Sequence, residues 1–209
     1  MQASTSRTAA AAVAIVGWAG LTVQFSATQA ASGSAAEAIW ILLRFFTILT
    51  NLLVAIVLTL IALGRRVSPA LVGGVTLAIL LVGIIYISLL RGLYQLQGAA
   101  LLADRLLHYA MPALTVVFWL VFAPKGGLRW RDPWLWCLYP LVYFAYALAR
   151  GASDDFYPYP FMDVGKIGVA QTAVNAVAIA AAFVIAGWGM VWLDARLLGR
   201  RDRASKAPR

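Results

Sequence analysis

Two side chains in this sequence could act together as a nucleophile and its base, namely Thr47 and His108. His108 is the only histidine, and imidazole is the side chain whose ordinary pKa lies closest to neutrality. A threonine hydroxyl attacks an acyl carbon once a neighbouring base accepts its proton. Asp104 precedes His108 by four residues, so its carboxylate could hold one imidazole nitrogen while the other faces a hydroxyl. Asp104 also fits as the N-cap of a helix that begins there.

A second group of polar residues surrounds Thr47. Arg44, Thr47 and Asn51 are spaced three and four residues apart, which predicts that they share one face of a helix. Arg44 and Asn51 are therefore candidates to stabilise the oxyanion that forms when the hydroxyl attacks. Thr50 lies three residues from Thr47 and is the alternative nucleophile. If these residues have only structural roles, the hydroxyl of Thr47 donates to the carbonyl of Leu43 and the amide of Asn51 joins two helices.

The apolar composition of the sequence indicates a membrane protein. Of 209 residues, 63% are hydrophobic and only 12% are charged, whereas soluble domains average roughly 45–50% and 25%. The single Cys137 excludes an intrachain disulfide, and one histidine excludes a multi-histidine metal site. We predict an all-α integral membrane protein that uses no metal or organic cofactor.

Six apolar segments are each long enough for one helical crossing. They cover residues 8–29, 41–63, 67–90, 105–123, 133–149 and 167–193. Short connections leave no room for a soluble domain, so residues 1–209 are predicted to form one bundle of six transmembrane helices with a basic tail at 196–209. The first segment is also compatible with a cleaved signal peptide, although its apolar run exceeds the usual length.

The basic residues fall unequally on alternate sides of these segments. One side collects twelve: Arg7, Arg65, Arg66, Lys125, Arg129, Arg131, Arg196, Arg200, Arg201, Arg203, Lys206 and Arg209. The other side has five, balanced by five acidic residues. The excess predicts that both termini are cytoplasmic and that the protein lies in a bacterial inner membrane. The net charge of +9 is then explained by topology, and no nucleic-acid partner is predicted.

This topology brings the two chemical groups to a similar depth. The second and fourth segments both enter from the outer side, and a rise of 1.5 Å per residue puts Thr47 roughly 9 Å and His108 roughly 5 Å below their outer ends. Pro112 cannot donate to the carbonyl of His108, which predicts a bend that leaves room for a substrate. From Tyr157 to Phe161, aromatic residues alternate with prolines. This pattern is incompatible with a helix and predicts an ordered loop that caps the bundle on the outer side.

Three stretches of the sequence resemble bacterial six-pass relatives of the androgen-induced-gene family. They are the run from Arg44 to Leu53, the His108 segment before Pro112, and the run from Tyr157 to Asp163. Animal members of that family are membrane threonine hydrolases that cleave fatty acid esters of hydroxy fatty acids. The resemblance implies that Thr47 matches the nucleophile and His108 its partner, and that the substrate is a lipid or fatty acyl ester.

Two other classes of function fit the same polar residues. In a small transporter or lipid-handling channel, Arg44, Asn51, His108, Gln171 and Asn175 would line a polar pathway. That hypothesis expects inverted repeats, and the two halves of the sequence show no convincing repeat. A non-enzymatic membrane partner protein would keep the buried polar face without chemistry. The sequence does not predict the natural substrate, the oligomeric state or the route by which water reaches the centre.

Overall fold

The computed structural model describes residues 2–93 and 95–205, and all regular elements in this part of the chain are helical. The α-helices are α1 (Gln2–Ser32), α2 (Ala35–Leu42), α3 (Phe46–Ala62), α4 (Pro69–Ile85), α5 (Gly98–Arg105), α6 (Met111–Val121), α7 (Asp132–Asp154) and α8 (Val164–Ser205). Two π-helical turns, Tyr86–Leu90 and Leu106–Ala110, and a 3₁₀ turn, Pro160–Met162, complete the set. The predicted all-α class is confirmed.

Several of these helices are long and apolar enough to cross a bilayer. In the described part of the chain, four stretches meet this test: Ser4–Ser32, Pro69–Leu90, Gly98–Val121 and Val164–Gly199. The bent pair of α2 and α3 makes a fifth crossing if the two helices are counted as one span. The predicted segment 133–149 lies within α7, which does not meet the test and carries Arg150 and Asp154 near its end.

The second predicted segment is not a single helix, so that prediction was wrong. Helices α2 and α3 meet at an angle of 97°, and Phe45 between them is extended, with φ −96° and ψ 127°. In a straight helix the carbonyls of Leu43 and Arg44 would accept bonds from the next turn. Here they accept hydrogen bonds from the hydroxyls of Tyr146 at 3.3 Å and Tyr143 at 2.8 Å. Two tyrosines of α7 therefore stabilise the corner.

The corner also removes Arg44 from the face of Thr47, contrary to the prediction. The guanidinium of Arg44 pairs with the carboxylate of Asp154 at the end of α7, and lies 4.6 Å from the ring centroid of Phe156. A charged side chain at a membrane interface is stabilised by such a partner. Arg44 therefore ties the corner to α7.

Two other helix boundaries differ from the predicted ones. The fourth helix begins with α5 at Gly98 rather than at residue 105, and Gln97 occupies its N-cap position. Asp104 consequently lies inside a helix, and its alternative prediction as an N-cap was wrong. Helix α7 continues to Asp154, past the predicted end at residue 149, and closes with a left-handed Asp155.

The ends of the bundle bring together segments that were predicted to share a side. At one end, Arg7 donates to the carbonyl of Ala62 at 3.0 Å, and the backbone N–H of Gly126 donates to Asp194 at 2.8 Å. The Arg44 corner and the end of α7 meet at the other end. Between them, α1 packs against α3, α5 and α6, while α4 contacts α3, α6, α7 and α8.

Candidate active site

The structure brings Thr47 and His108 into direct contact. Thr47 lies in the first turn of α3, and its hydroxyl oxygen is 3.2 Å from Nε2 of His108. His108 lies in the π-helical turn between α5 and α6. Thr47 is 7% exposed and the His108 side chain 18%, so both groups are largely withdrawn from solvent. This distance is suitable for proton transfer between a hydroxyl and an imidazole.

Asp104 and Tyr86 hold the other side of the imidazole. Nδ1 of His108 lies 2.9 Å from Oδ1 of Asp104, and the Tyr86 hydroxyl donates to Oδ2 of the same carboxylate at 2.7 Å. The Tyr86 ring also stacks on the imidazole, with centroids 4.0 Å apart. A proton on Nδ1 is favoured by the carboxylate, which leaves the Nε2 lone pair facing Thr47.

Proline chemistry explains why the chain places His108 on a π-helical turn. Pro112 has no N–H to donate to the carbonyl of His108. One residue earlier, the N–H of Met111 bonds to the carbonyl of Leu106, five residues back. Such π turns occur frequently at functional sites because they re-aim a side chain. Tyr86 begins the other π-helical turn, Tyr86–Leu90, in which the N–H of Arg91 donates to the carbonyl of Tyr86 at 2.8 Å.

The bend before α3 leaves two backbone donors beside the Thr47 hydroxyl. The carbonyl of Phe45 accepts bonds from Ile48 and Leu49, and a helix offers no internal acceptor to the N–H groups of Phe46 and Thr47. These two N–H groups lie near the phenol of Tyr159, as do the hydroxyls of Thr47 and Tyr143. The positive end of the helix dipole also favours negative charge at this position.

Tyr159 belongs to the stretch that was predicted to cap the outer side. It is 8% exposed and its ring packs edge-on against Phe45 and stacks on Phe161. Burial raises the pKa of the Tyr159 phenol above its ordinary value, so the hydroxyl keeps its proton near neutral pH. The sequence analysis missed Tyr159 and Tyr86 as site residues. The available signals were the position of Tyr86 near the outer end of the predicted segment 67–90 and that of Tyr159 in the predicted cap.

The remaining predicted site residues have other partners. Asn51 is fully buried and its amide donates to the carbonyls of Thr47 at 2.9 Å and Leu107 at 3.2 Å. It therefore joins α3 to the π turn of His108, and its donors do not face the Thr47 hydroxyl. Thr50 pairs with the hydroxyl of Tyr139 at 3.0 Å. Thr50 thus faces α7, whereas Thr47 faces His108.

Gln171 and Asn175 lie apart from this site. Gln171 donates to Asn175 at 2.9 Å, and Asn175 donates to the carbonyl of Phe161 at 2.8 Å. Neither residue lines the cavities that reach Thr47. The structure therefore does not join the polar residues of the predicted transport pathway around one cavity.

Thr47 and His108 open into a cavity of about 340 Å³. Asp104, Tyr86 and Tyr159 also line it, and most of the remaining wall is aliphatic or aromatic. Pockets of this size and character bind small ligands in many proteins. The wall includes Pro158 and Pro160, so the external cap closes one side of the cavity.

Comparison with protein-family models, curated proteins and solved structures found no match. The chemistry of the site is therefore argued from its own geometry. Within residues 2–93 and 95–205, no group of three or more His, Cys, Asp and Glu side chains could hold a metal ion. The polar centre consists of a hydroxyl, an imidazole, a carboxylate and two phenols.

Proposed function

We propose that this protein is an intramembrane hydrolase of lipid-like carboxylic esters, with Thr47 as nucleophile and His108 as general base. The observation that carries the proposal is the chain of contacts from Asp104 through His108 to Thr47, at 2.9 Å and 3.2 Å. The order of groups is that of an activated hydroxyl nucleophile. A largely apolar cavity beside the hydroxyl suits an acyl ester better than a hydrophilic substrate.

The first half of the reaction transfers the acyl group to Thr47. Nε2 of His108 accepts the hydroxyl proton while Oγ1 of Thr47 forms a bond to the ester carbonyl carbon. The tetrahedral intermediate then loses its alcohol when the C–O bond breaks, and His108 returns the proton to the departing oxygen. Asp104 stabilises the imidazolium that exists between these steps.

The oxyanion is assigned to the N-terminal turn of α3. The backbone N–H groups of Phe46 and Thr47 have no acceptor inside the helix. The Tyr159 hydroxyl, which lies beside them, supplies a third donor once the substrate oxygen takes its place against these N–H groups. These groups replace Arg44, which pairs with Asp154, and Asn51, whose amide donates to two backbone carbonyls. Preorganised donors at this position typically contribute about 10²–10³ in rate each.

The second half of the reaction releases the acid. A water molecule adds to the carbonyl carbon of the acyl-threonine while His108 accepts one of its protons. The ester bond to Oγ1 then breaks and the proton passes to Thr47, which regenerates the hydroxyl. The outer side of the bundle is the proposed route for water because Thr47 and His108 lie near that end.

The proposed topology has six crossings. It counts α2 and α3 as one bent span and adds α7 to the other five spans. The contacts that pair the N-terminal part of α1 with α3, and the loop before α7 with α8, support termini on one side. The distribution of basic residues makes that side cytoplasmic in a bacterial inner membrane. Because α1 contributes buried residues to the core, we propose that it is retained. Membership of the androgen-induced-gene family is part of this proposal.

Labelling by a fluorophosphonate probe tests the proposal most simply. Purified protein in detergent micelles should be labelled and should hydrolyse p-nitrophenyl octanoate. The Thr47→Ala and His108→Ala variants should lose labelling by at least about 10²-fold. Thr50→Ala is the matched control, since it removes a buried hydroxyl three residues away that does not contact His108.

Each outcome of this experiment decides something. Labelling that survives in Thr47→Ala and disappears in Thr50→Ala would make Thr50 the nucleophile and refute the assignment. A folded wild-type protein that neither labels nor hydrolyses acyl esters would refute the hydrolase.

A further inference from the structure

Thr47 lies on the wall between two cavities rather than at the end of one. The larger cavity, of about 340 Å³, contains His108 and Asp104. A smaller cavity of about 60 Å³ is also lined by Thr47. Thr47, Leu90 and Tyr159 line both of them. A substrate whose reacting bond sits at Thr47 can therefore extend in two directions.

The two cavities differ in chemistry. The smaller one lies where α4, α7 and α8 meet, and apart from Thr47 its wall is aliphatic or aromatic, including Leu81, Phe144 and Ile179. The larger one has additional polar groups on α1, namely Gln24 and Thr28. The Gln24 amide nitrogen donates to Thr28 at 3.1 Å, while its amide oxygen makes no hydrogen bond to the described residues.

The direction of proton transfer assigns the two halves of the ester. Under the proposed mechanism, His108 must give its proton to the oxygen of the departing alcohol, so the alcohol has to lie on the side of Nε2. That side is the larger cavity. The acyl chain, which stays attached to Thr47, then extends into the smaller cavity. The apolar wall between α4, α7 and α8 suits a hydrocarbon chain.

The charge of the larger cavity restricts the alcohol. Asp104 lines it, and the basic residue on its described wall is His108, which is already paired with Asp104. A carboxylate that the alcohol carried into this cavity would lie near Asp104 without a free cation to pair with it, because Asp104 already holds the imidazole of His108. Such a charge is unfavourable in a poorly hydrated cavity. An uncharged alcohol that carries a second hydroxyl can instead donate a hydrogen bond to the side-chain amide oxygen of Gln24.

We propose that the larger cavity binds the leaving alcohol and selects an uncharged, hydroxyl-bearing one such as glycerol, whereas the smaller cavity receives the acyl chain. This inference rests on the proposed ester hydrolysis and specifies its substrate class as neutral glyceride-like esters. A water molecule takes up about 30 Å³ in the liquid, so the larger cavity of about 340 Å³ has room for about ten water-sized groups. The smaller one holds only the first carbons of the chain, which then continues between α4, α7 and α8.

Two series of esters separate the two cavities. The first keeps the p-nitrophenyl alcohol and varies the acyl chain from acetate to decanoate. The second keeps an octanoyl chain and compares 1-octanoylglycerol with the octanoyl ester of a hydroxy fatty acid that bears a free carboxylate. The wild type should prefer the glycerol ester by about tenfold or more in kcat/KM.

Two variants test the assignment of each cavity. Ile179→Phe narrows the smaller cavity and should lower the ratio of kcat/KM for decanoate to that for acetate by about tenfold. Gln24→Leu keeps the side-chain size and should lower the ratio for 1-octanoylglycerol to p-nitrophenyl octanoate by about fivefold, because one hydrogen bond is lost. Fluorophosphonate labelling of each variant reports whether its catalytic centre is intact.

The outcomes distinguish this inference from the function on which it rests. An active wild type that prefers the carboxylate-bearing ester overturns the uncharged alcohol site. Variants that are labelled normally but shift the opposite series, or neither series, overturn the assignment of the two cavities. A wild type with no esterase activity overturns both the inference and the proposed function.

Discussion

Replacing Asp104 by asparagine removes one negative charge from the site and keeps its shape. The asparagine oxygen can still accept a hydrogen bond from Nδ1 of His108, which lies 2.9 Å from the present carboxylate oxygen. What is lost is the attraction between the carboxylate and the imidazolium that forms during attack. For charge centres about 4 Å apart and an effective dielectric constant of about 20, this attraction is worth about 4 kcal/mol. Asp104→Asn should therefore lower kcat by about 10³-fold.

The assay is steady-state hydrolysis of a p-nitrophenyl ester by purified protein, with kcat and KM determined separately. Because the imidazolium exists only after proton transfer begins, KM should change by less than about twofold. Tyr86→Phe is the matched control, since it removes the hydrogen bond to Oδ2 of Asp104 at 2.7 Å and keeps the ring that stacks on His108. It should lower kcat by about tenfold at most.

Thermal unfolding of both variants identifies any loss that reflects misfolding. An Asp104→Asn protein that keeps more than about a third of the wild-type kcat would refute the electrostatic role, because the calculation requires a far larger loss. A Tyr86→Phe protein that loses as much as Asp104→Asn would show that the hydrogen bond from Tyr86 to Asp104, rather than the carboxylate charge alone, supports the imidazole.

Three further predictions concern stability. Asn51→Ala should lower the free energy of unfolding by about 2 kcal/mol, because two buried carbonyls lose the amide that donates to them. This corresponds to a fall of about 6 °C in Tm, and an unchanged Tm would contradict the prediction. Gly74→Ala should lower Tm, since its Cβ would lie 2.7 Å from Trp136, whereas Gly189→Ala, with open space around it, should not; equal effects would count against the packing. Burial raises the pKa of Tyr159 above its ordinary value of 10.0. The stability that the protonated phenol contributes is therefore complete below pH 10 and is lost as the pH rises further. In thermal melts, the Tm of Tyr159→Phe should fall less than the wild-type Tm between about pH 9 and pH 11, and a larger fall would contradict this.

The sequence predicted the apolar helices and the meeting of Thr47 with His108 for a simple reason. A bilayer span has a fixed length, and alternate crossings return to the same side. Two residues near the outer ends of their segments must then share a leaflet. The approximate depths of Thr47 and His108 follow from the rise per residue alone, although their contact at 3.2 Å depends on packing that no periodicity reports.

The corner before α3 could not be predicted from the sequence for a physical reason. Residues 41–63 read as one continuous apolar segment, without a proline or glycine to end a helix. The break is stabilised from a distance by the hydroxyls of Tyr143 and Tyr146, about a hundred residues later in the chain. The misplacement of Arg44 follows from the same cause, because the corner separates it from the face of Thr47. Asn51 shares α3 with Thr47, but its amide donates to the carbonyls of Thr47 and Leu107.

Tyr159 illustrates a second limit of sequence reasoning. Its loop was predicted to cover the outer side, and proline content supports that much. Its hydroxyl lies beside the first turn of α3, where the corner leaves two backbone N–H groups without an acceptor inside the helix. A contribution of backbone atoms to a site leaves no trace in the side-chain pattern.

Identification of the acylated residue tests the central claim most directly. Wild-type protein is mixed with p-nitrophenyl octanoate, quenched in acid within the first turnovers, digested and analysed by peptide mass spectrometry. The proposed mechanism predicts an octanoyl group on Thr47, and its absence from the same peptide of His108→Ala. An octanoyl group on any other residue, or turnover without any acylated peptide, would contradict it.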